Sequence, residues 1–188
     1  QRLAPLLAEG GVKAHVAISA PHKGSFSLAH RQRLHADGTA VPSVTISYDD
    51  AERLLRERPA RGRIRIRQTV AKRRGWNVVA TLGGAARDRN LTWLVGHYDT
   101  VSRSHGSVDN AGGTVCLLQA AAHFAAHPPE RELRIVFFSG EELGLLGSSA
   151  YVAAHEAEVR ERGRLVVNVD LSGDSIGEDH YIVLGTRE

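Results

Sequence analysis

Three apolar runs in this sequence stop on side chains that bind divalent metals. Residues 91–95 end at Gly96-His97-Tyr98-Asp99, residues 133–138 run into Ser139-Gly140-Glu141-Glu142, and residues 165–169 end at Asp170, with Asp174 just beyond. Ten residues past Asp99, the stretch Asp109-Asn110-Ala111-Gly112-Gly113 opens an Ala- and Leu-rich segment. One imidazole with several carboxylates and no thiolate is a donor set that suits zinc, with manganese or cobalt as alternatives. So many carboxylates in one place repel each other unless cations hold them. More acids than one ion uses point to two metals, roughly 3.5–4 Å apart, sharing a carboxylate. Glu141 and Glu142 are adjacent, and in an extended segment neighbours point opposite ways. One of the pair can grip metal while the other faces substrate and moves protons.

Taken singly, each residue has a bland explanation. A His at a strand end is usually a polar cap, a Glu-Glu pair usually starts a wet helix, and Asp109 or Asp170 alone fits a helix N-cap. Their joint arrival at successive strand ends, flanked by glycines, is what argues for a site. In open α/β sheets such sites form beyond the carboxyl ends of the strands.

The elements that must position these groups divide into two regions. Residues 1–70 read as a small α+β module. Residues 1–9 end a helix stopped by Gly10-Gly11, and residues 15–19 and 41–46 are short strands. Asp49 and Asp50 fit an N-cap for a helix over 51–58, which Pro59 ends. Arg63-Ile64-Arg65-Ile66-Arg67 alternates strictly, which predicts a strand with one wet face. The polar stretch 21–39 holds His22, His30 and His35 without ligand spacing and reads as a loop. Residues 71–188 read as an α/β domain with a mainly parallel or mixed sheet and flanking helices. The pattern predicts a hairpin from strands 76–82 and 91–95, a helix over 111–126, a strand over 133–138, and a helix over 144–162 broken by Gly163. Strands over 165–169 and 181–184 follow. Buried strands alternating with helices argue right-handed crossovers.

Composition narrows the classes. No apolar run among the 188 residues reaches the roughly 18 that a membrane span needs. The net charge of +3 comes mostly from arginines ahead of Trp76. No basic helix with interleaved aromatics accompanies them, so they read as solvated surface rather than a nucleic-acid face. Arg134 is left as surface too. Cys116 is the sole cysteine, so no internal disulfide exists, and its apolar neighbours mark it as a small buried hydrophobe. The sequence contains no Met and starts at Gln1, and is read as a piece of a longer chain. The other histidines take the bland reading: His105 as a loop residue ahead of Asp109, with lining of the pocket the lesser alternative, and His123, His127 and His155 as surface residues on helices.

The motifs now carry a resemblance. Gly96-His97-Tyr98-Asp99-Thr100-Val101, then Gly106-Ser107-Val108-Asp109-Asn110-Ala111-Gly112-Gly113 resemble in order and spacing the M28 zinc metallopeptidases. So do Phe137-Phe138-Ser139-Gly140-Glu141-Glu142-Leu143-Gly144-Leu145-Leu146-Gly147-Ser148 and Asn168-Val169-Asp170. These enzymes are co-catalytic aminopeptidases and their carboxypeptidase relatives. The likeness starts near Trp76; residues 1–70 are similar, much more faintly, to part of a protease-associated domain. The resemblance implies that His97 and Asp170 hold one zinc, that Glu142 holds the other, and that Asp109 bridges them. It implies Asp99 as the carboxylate that orients His97 and Glu141 as the general base. The implied reaction is hydrolysis of peptide bonds by a metal-bound water, removing residues from a peptide or protein N-terminus. The family also implies a secreted or periplasmic protein.

In one place the pattern departs from the family, which has a further His well after Asp170 to complete the second zinc. Only His180 follows, and it comes too early. The expectation is that this stretch binds a second metal weakly or not at all. Two rivals stand beside the aminopeptidase: a single-zinc glutaminyl cyclase, and a catalytically silent receptor or interaction relative. The presence of His97, Asp109, Glu141, Glu142 and Asp170 together favours an enzyme.

Overall fold

The structure, a computed structural model, describes residues 6–7, 9–18, 41–67, 69, 71–85, 89–101 and 104–172. The loop expected over 21–39, with its three histidines, and the strand expected over 181–184, with Asp174 and His180, lie outside these residues. The chain forms two units, residues 1–72 and 73–188.

In the first unit, β1 (His15–Ile18) and β2 (Ser43–Ile46) form a parallel pair, with His15 opposite Ser43 and Ile18 opposite Ile46. Helix α1 (Tyr48–Glu57) starts earlier than its acidic residues suggest. Ser47, not Asp49 or Asp50, is its N-cap: the Ser47 hydroxyl oxygen accepts the Asp50 N–H at 3.2 Å and donates to Asp50 Oδ2 at 2.9 Å. That reciprocal cap satisfies a helix-end donor and puts both aspartates in the first turn, where negative charge meets the positive end of the helix. The helix stops at Arg58, which takes a left-handed conformation just before Pro59. Residues 63–67 are not a strand. Ile66 is 44% exposed, and alternation holds a strand only where a sheet offers both a partner edge and a face to bury.

The second unit is a four-stranded sheet in the order β3 (Val78–Leu82), β5 (Glu132–Phe138), β4 (Leu91–His97), β6 (Gly163–Asn168). The last three strands are parallel and β3 is antiparallel. The expected hairpin of β3 and β4 is therefore wrong, because β5 sits between them. Strand β5 is apolar on both faces and is worth most in the middle, where both its edges are paired. The link from β3 instead crosses the start of β5. There a Cβ on Gly83 would lie 2.2 Å from the Pro129 carbonyl oxygen, so no larger residue fits.

Alternate residues of the central strands face two helical layers. Leu133, Ile135 and Phe137 pack on Leu117, Ala120 and Phe124 of helix α2 (Gly113–Ala126). Leu91, Trp93, Val95 and Val136 pack on Tyr151 of α3 (Leu146–Ala154) and Val159 of α4 (Glu156–Arg162). The single helix expected over 144–162 is two helices that meet at His155. Cys116 is exposed rather than buried. Its neighbour Leu117 takes the sheet-facing position, and one residue along a helix turns the side chain by about 100°. The edge strand β6 is exposed along its length, with Leu165 at 53% and Val166 at 59%.

Arg134 is not a surface residue either; its side chain is 12% exposed. It donates to Glu132, Glu158 and the Tyr151 hydroxyl, and Arg162 donates to the same two glutamates. The Tyr151 hydroxyl also accepts the Trp93 Nε1–H at 3.3 Å. Two cations and two carboxylates thus tie α3 and α4 to the amino ends of the strands. The Arg162 hydrogen bond holds the Glu132 carboxyl below the ordinary range, and the Arg134 hydrogen bond does the same for Glu158. A depressed folded pKa gives stabilisation that is full above the unfolded carboxyl value, about 4.3, and is lost as pH falls through the folded one. Glu158→Gln should lower the stability of this unit at pH 7 by about 1–3 kcal/mol. The same change should shrink the loss between about pH 5 and pH 3. Urea melts at pH 7 and pH 3.5 check both effects.

Candidate metal centre

Parallel pairing brings three strand ends to one edge of the sheet. His97 lies opposite Phe138, and Val95 lies opposite Asn168. The residues just past these points are therefore neighbours. His97 is buried, 3% exposed. Its Nδ1 lies 3.0 Å from the Asp99 carbonyl oxygen. A carbonyl only accepts, so Nδ1 carries the proton and Nε2 points at the carboxylates. Nε2 is 3.0 Å from Asp109 Oδ1 and 3.3 Å from Asp170 Oδ1. One ligand atom from each of His97, Asp109 and Asp170 lies within 4.8 Å of the other two. An imidazole nitrogen and two carboxylate oxygens, with no sulfur, fit zinc and would also take manganese or cobalt.

Asp109 reaches this cluster from a wide turn, Ser107–Gly112, in which Asp109 and Asn110 leave the helical conformation. The Asp109–Asn110 peptide bond is cis. The Thr100 hydroxyl donates to the Asp109 carbonyl at 3.0 Å and pins the turn from the other side. Asp170 is steadied by the Leu171 N–H, which donates to its Oδ1 at 2.8 Å.

The remaining residues expected from the sequence are arranged differently. The Asp99 carboxylate lies 3.6 Å from His97 Nδ1, too far for a hydrogen bond. It accepts the backbone N–H groups of Glu141 and Glu142, at 3.1 and 3.2 Å. Asp99 thus touches the His97 ring through its backbone carbonyl and fastens the Glu141-Glu142 turn with its side chain. That turn is bent rather than extended. The Glu142 carboxylate lies outside the cluster of three, and its Oε1 accepts the Val101 N–H at 3.1 Å. His105 is exposed and does not line the cavity. His123, His127 and His155 are exposed.

Beside the cluster lies a cavity of about 330 Å³. His97, Glu141 and Asp170 stand at its polar end, and Trp93, Tyr151, Val152, Val159 and Val166 form much of the remaining wall. Sequence reading did not identify these wall residues, because they are scattered over two strands and two helices. Burial favours the uncharged form of both His97 and Glu141, but the outcomes differ. At His97 the Asp170 and Glu141 charges outweigh burial and lift the pKa above its ordinary value. At Glu141 burial and the surrounding carboxylates raise it, against the pull of His97. A site that draws a proton into this position draws a cation for the same reason.

The profile of peptidase family M28 matches residues 77–186. The chain is 29% identical over 147 residues to aminopeptidase YwaD of Bacillus subtilis (strain 168), covering 76% of this chain and 31% of that protein. It is 28% identical over 141 residues to leucine aminopeptidase 2 of Trichophyton equinum, covering 73% of this chain and 28% of that protein. A solved zinc aminopeptidase from Bacillus subtilis superposes with a TM-score of 0.64 at 25% identity, over 89% of this chain and 40% of that one. A peptidase M28 precursor from Shewanella amazonensis SB2B gives 0.61 at 26% identity, over 86% and 38%. The chain spans under a third of the length of these curated relatives, at 31% and 28%.

The geometry makes a graded expectation for metal affinity. His97→Ala, Asp109→Asn and Asp170→Asn should each weaken zinc binding by about a hundredfold or more, while Glu142→Gln should change it by less than about threefold. Competition against a chromogenic chelator measures all four. A loss in Glu142→Gln equal to that in Asp109→Asn would bring Glu142 into the ligand set of the first ion.

Proposed function

The chain belongs to peptidase family M28, and from that premise we propose that it carries most of the active centre of a zinc aminopeptidase. The observation that carries the reading is the convergence of His97, Asp109 and Asp170 at the polar end of an apolar cavity, with Glu141 in its wall. Nε2 of His97 and the two aspartates would hold the ion. Zinc, when bound, supplies Lewis-acid polarisation of a peptide carbonyl. Glu141 takes a proton from the attacking water and returns it to the departing amine. Asp99 keeps Glu141 in place through the hydrogen bond to its backbone N–H. Asp170 and Asp109 also offer negative charge to the ammonium group of a free N-terminus. The apolar wall formed by Trp93, Val152, Val159 and Val166 favours an apolar first residue.

The Glu142 carboxylate stands outside the cluster of three, and with His180 too early to complete a second site, one tightly held ion rather than two is the reading for this stretch. The protease-associated reading of residues 1–70 belongs with this proposal, since the matched family range starts at residue 77. So does secretion or a periplasmic location.

In the full-length protein, Glu141→Gln should lower turnover of leucyl-nitroanilide by at least about a hundredfold, with zinc content unchanged. Leucyl substrates should be cleaved faster than aspartyl or lysyl ones. Faster cyclisation of Gln-peptides than hydrolysis would point to the cyclase instead, and full activity in Glu141→Gln would end the general-base assignment. Two tightly held zinc ions on the 188-residue chain would overturn the weak second site.

A further inference from the structure

We propose that Asn110 is the positioning residue of the metal centre: its carboxamide bonds the three segments that carry His97, Asp109 and Asp170 to one another. The inference rests on the zinc reading above and adds to it a residue that binds no metal itself. Asn110 is among the most buried residues described, 1% exposed. Its Nδ2 donates to the His97 carbonyl at 3.2 Å and to the Val169 carbonyl at 2.9 Å, and its Oδ1 accepts the Gly113 N–H at 3.2 Å. Every candidate ligand is therefore either bonded by this amide or one residue away. Asp109 precedes it, His97 accepts from it, and Asp170 follows Val169.

The chemistry of the position selects asparagine. Two carbonyls and one N–H must be satisfied from a single short side chain, which needs two donors and one acceptor. Aspartate offers acceptors only and would set a carboxylate against two carbonyl oxygens. The surroundings leave room for this amide and little else. A Cβ on Gly113 would lie 2.2 Å from Asn110 Oδ1, and one on Gly96 would lie 2.8 Å from the Val169 carbonyl oxygen. Gly113 is thereby explained as space for the carboxamide, and Gly96 as space for the Val169 carbonyl and the Leu117 side chain beside it. Thr114 adds a second tie to the same carbonyl, its hydroxyl donating to His97 O at 3.1 Å. A backbone held this closely leaves the His97 ring little freedom to swing away from the two aspartates.

The test compares Asn110→Asp and Thr114→Val with Ile135→Val, a wholly buried core position in β5, in the 188-residue chain. Zinc affinity by chelator competition, the visible spectrum of the cobalt-substituted protein, and thermal melting are read for each. The expected result is a loss of zinc affinity of at least about tenfold in Asn110→Asp and about threefold in Thr114→Val, with altered cobalt bands. Ile135→Val should melt lower while keeping affinity and spectrum. Asn110→Asp with wild-type affinity and spectrum would overturn the proposal, as would an equal loss of affinity in Ile135→Val. If Asn110→Asp does not fold, Thr114→Val decides on the same two readings. A wild-type chain that takes up neither metal ends the zinc reading, and the ¹⁵N signals of the His97 ring in the metal-free chain then decide the positioning role. Ring signals that shift in Thr114→Val uphold it, and unchanged signals refute it.

Discussion

Carboxylates crowd the ends of β4, β5 and β6, and the fold must hold them against mutual repulsion. Two unit charges 4 Å apart near a protein surface repel by about 4 kcal/mol, a large fraction of what keeps a domain folded. The structure spreads this cost over fixed donors. Asp99 accepts two backbone N–H groups, Glu142 accepts the Val101 N–H, and Asp170 accepts the Leu171 N–H. The His97 ring stands among Asp109 and Asp170. Each carboxylate so held is aimed as well as tolerated. The parallel register of the three strands places the backbone donors where they are needed, so sheet topology and site electrostatics are one requirement.

The opposite end of the sheet answers a different demand. Glu132, Arg134, Glu158 and Arg162 form a closed set in which each charge meets two of opposite sign. The hydroxyl of Tyr151 joins that set to Trp93, which also lines the cavity. Helices α3 and α4 are thus anchored at the amino ends of the strands by charge. Along the face they are held by apolar packing on Tyr151 and Val159. The cavity lies between the anchor and the metal ligands, with walls set from both directions.

Much of the site could be read from residue types and spacing, because strand ends are marked by where apolar runs stop. His97, Asp170 and the Glu141-Glu142 pair are legible for that reason, and Asp109 from its place ahead of an Ala- and Leu-rich helix. The orientation of side chains is not. Adjacent glutamates predict opposite directions, but residue types do not name the Val101 N–H as a partner for Glu142. The role of Asn110 was hidden by its type, since an Asn in a Gly-rich turn reads as turn chemistry. For the fold, periodicity reports which residues are buried and is silent on which strand edges meet. That silence is why the pattern predicts a hairpin of β3 and β4, whereas β5 lies between them. Arg134 alternates with apolar residues like any solvent-facing position, and only its distant partners Glu158 and Tyr151 make its burial intelligible.

One feature of the sheet bears on how the molecule behaves in a test tube. Among the described residues no strand pairs with the outer edge of β6, where Leu165, Val166 and Val167 are exposed. An edge of that kind is a template on which other extended chains add strand by strand. Strand addition at this edge would bring another chain close to Asp170, which follows the end of the same strand.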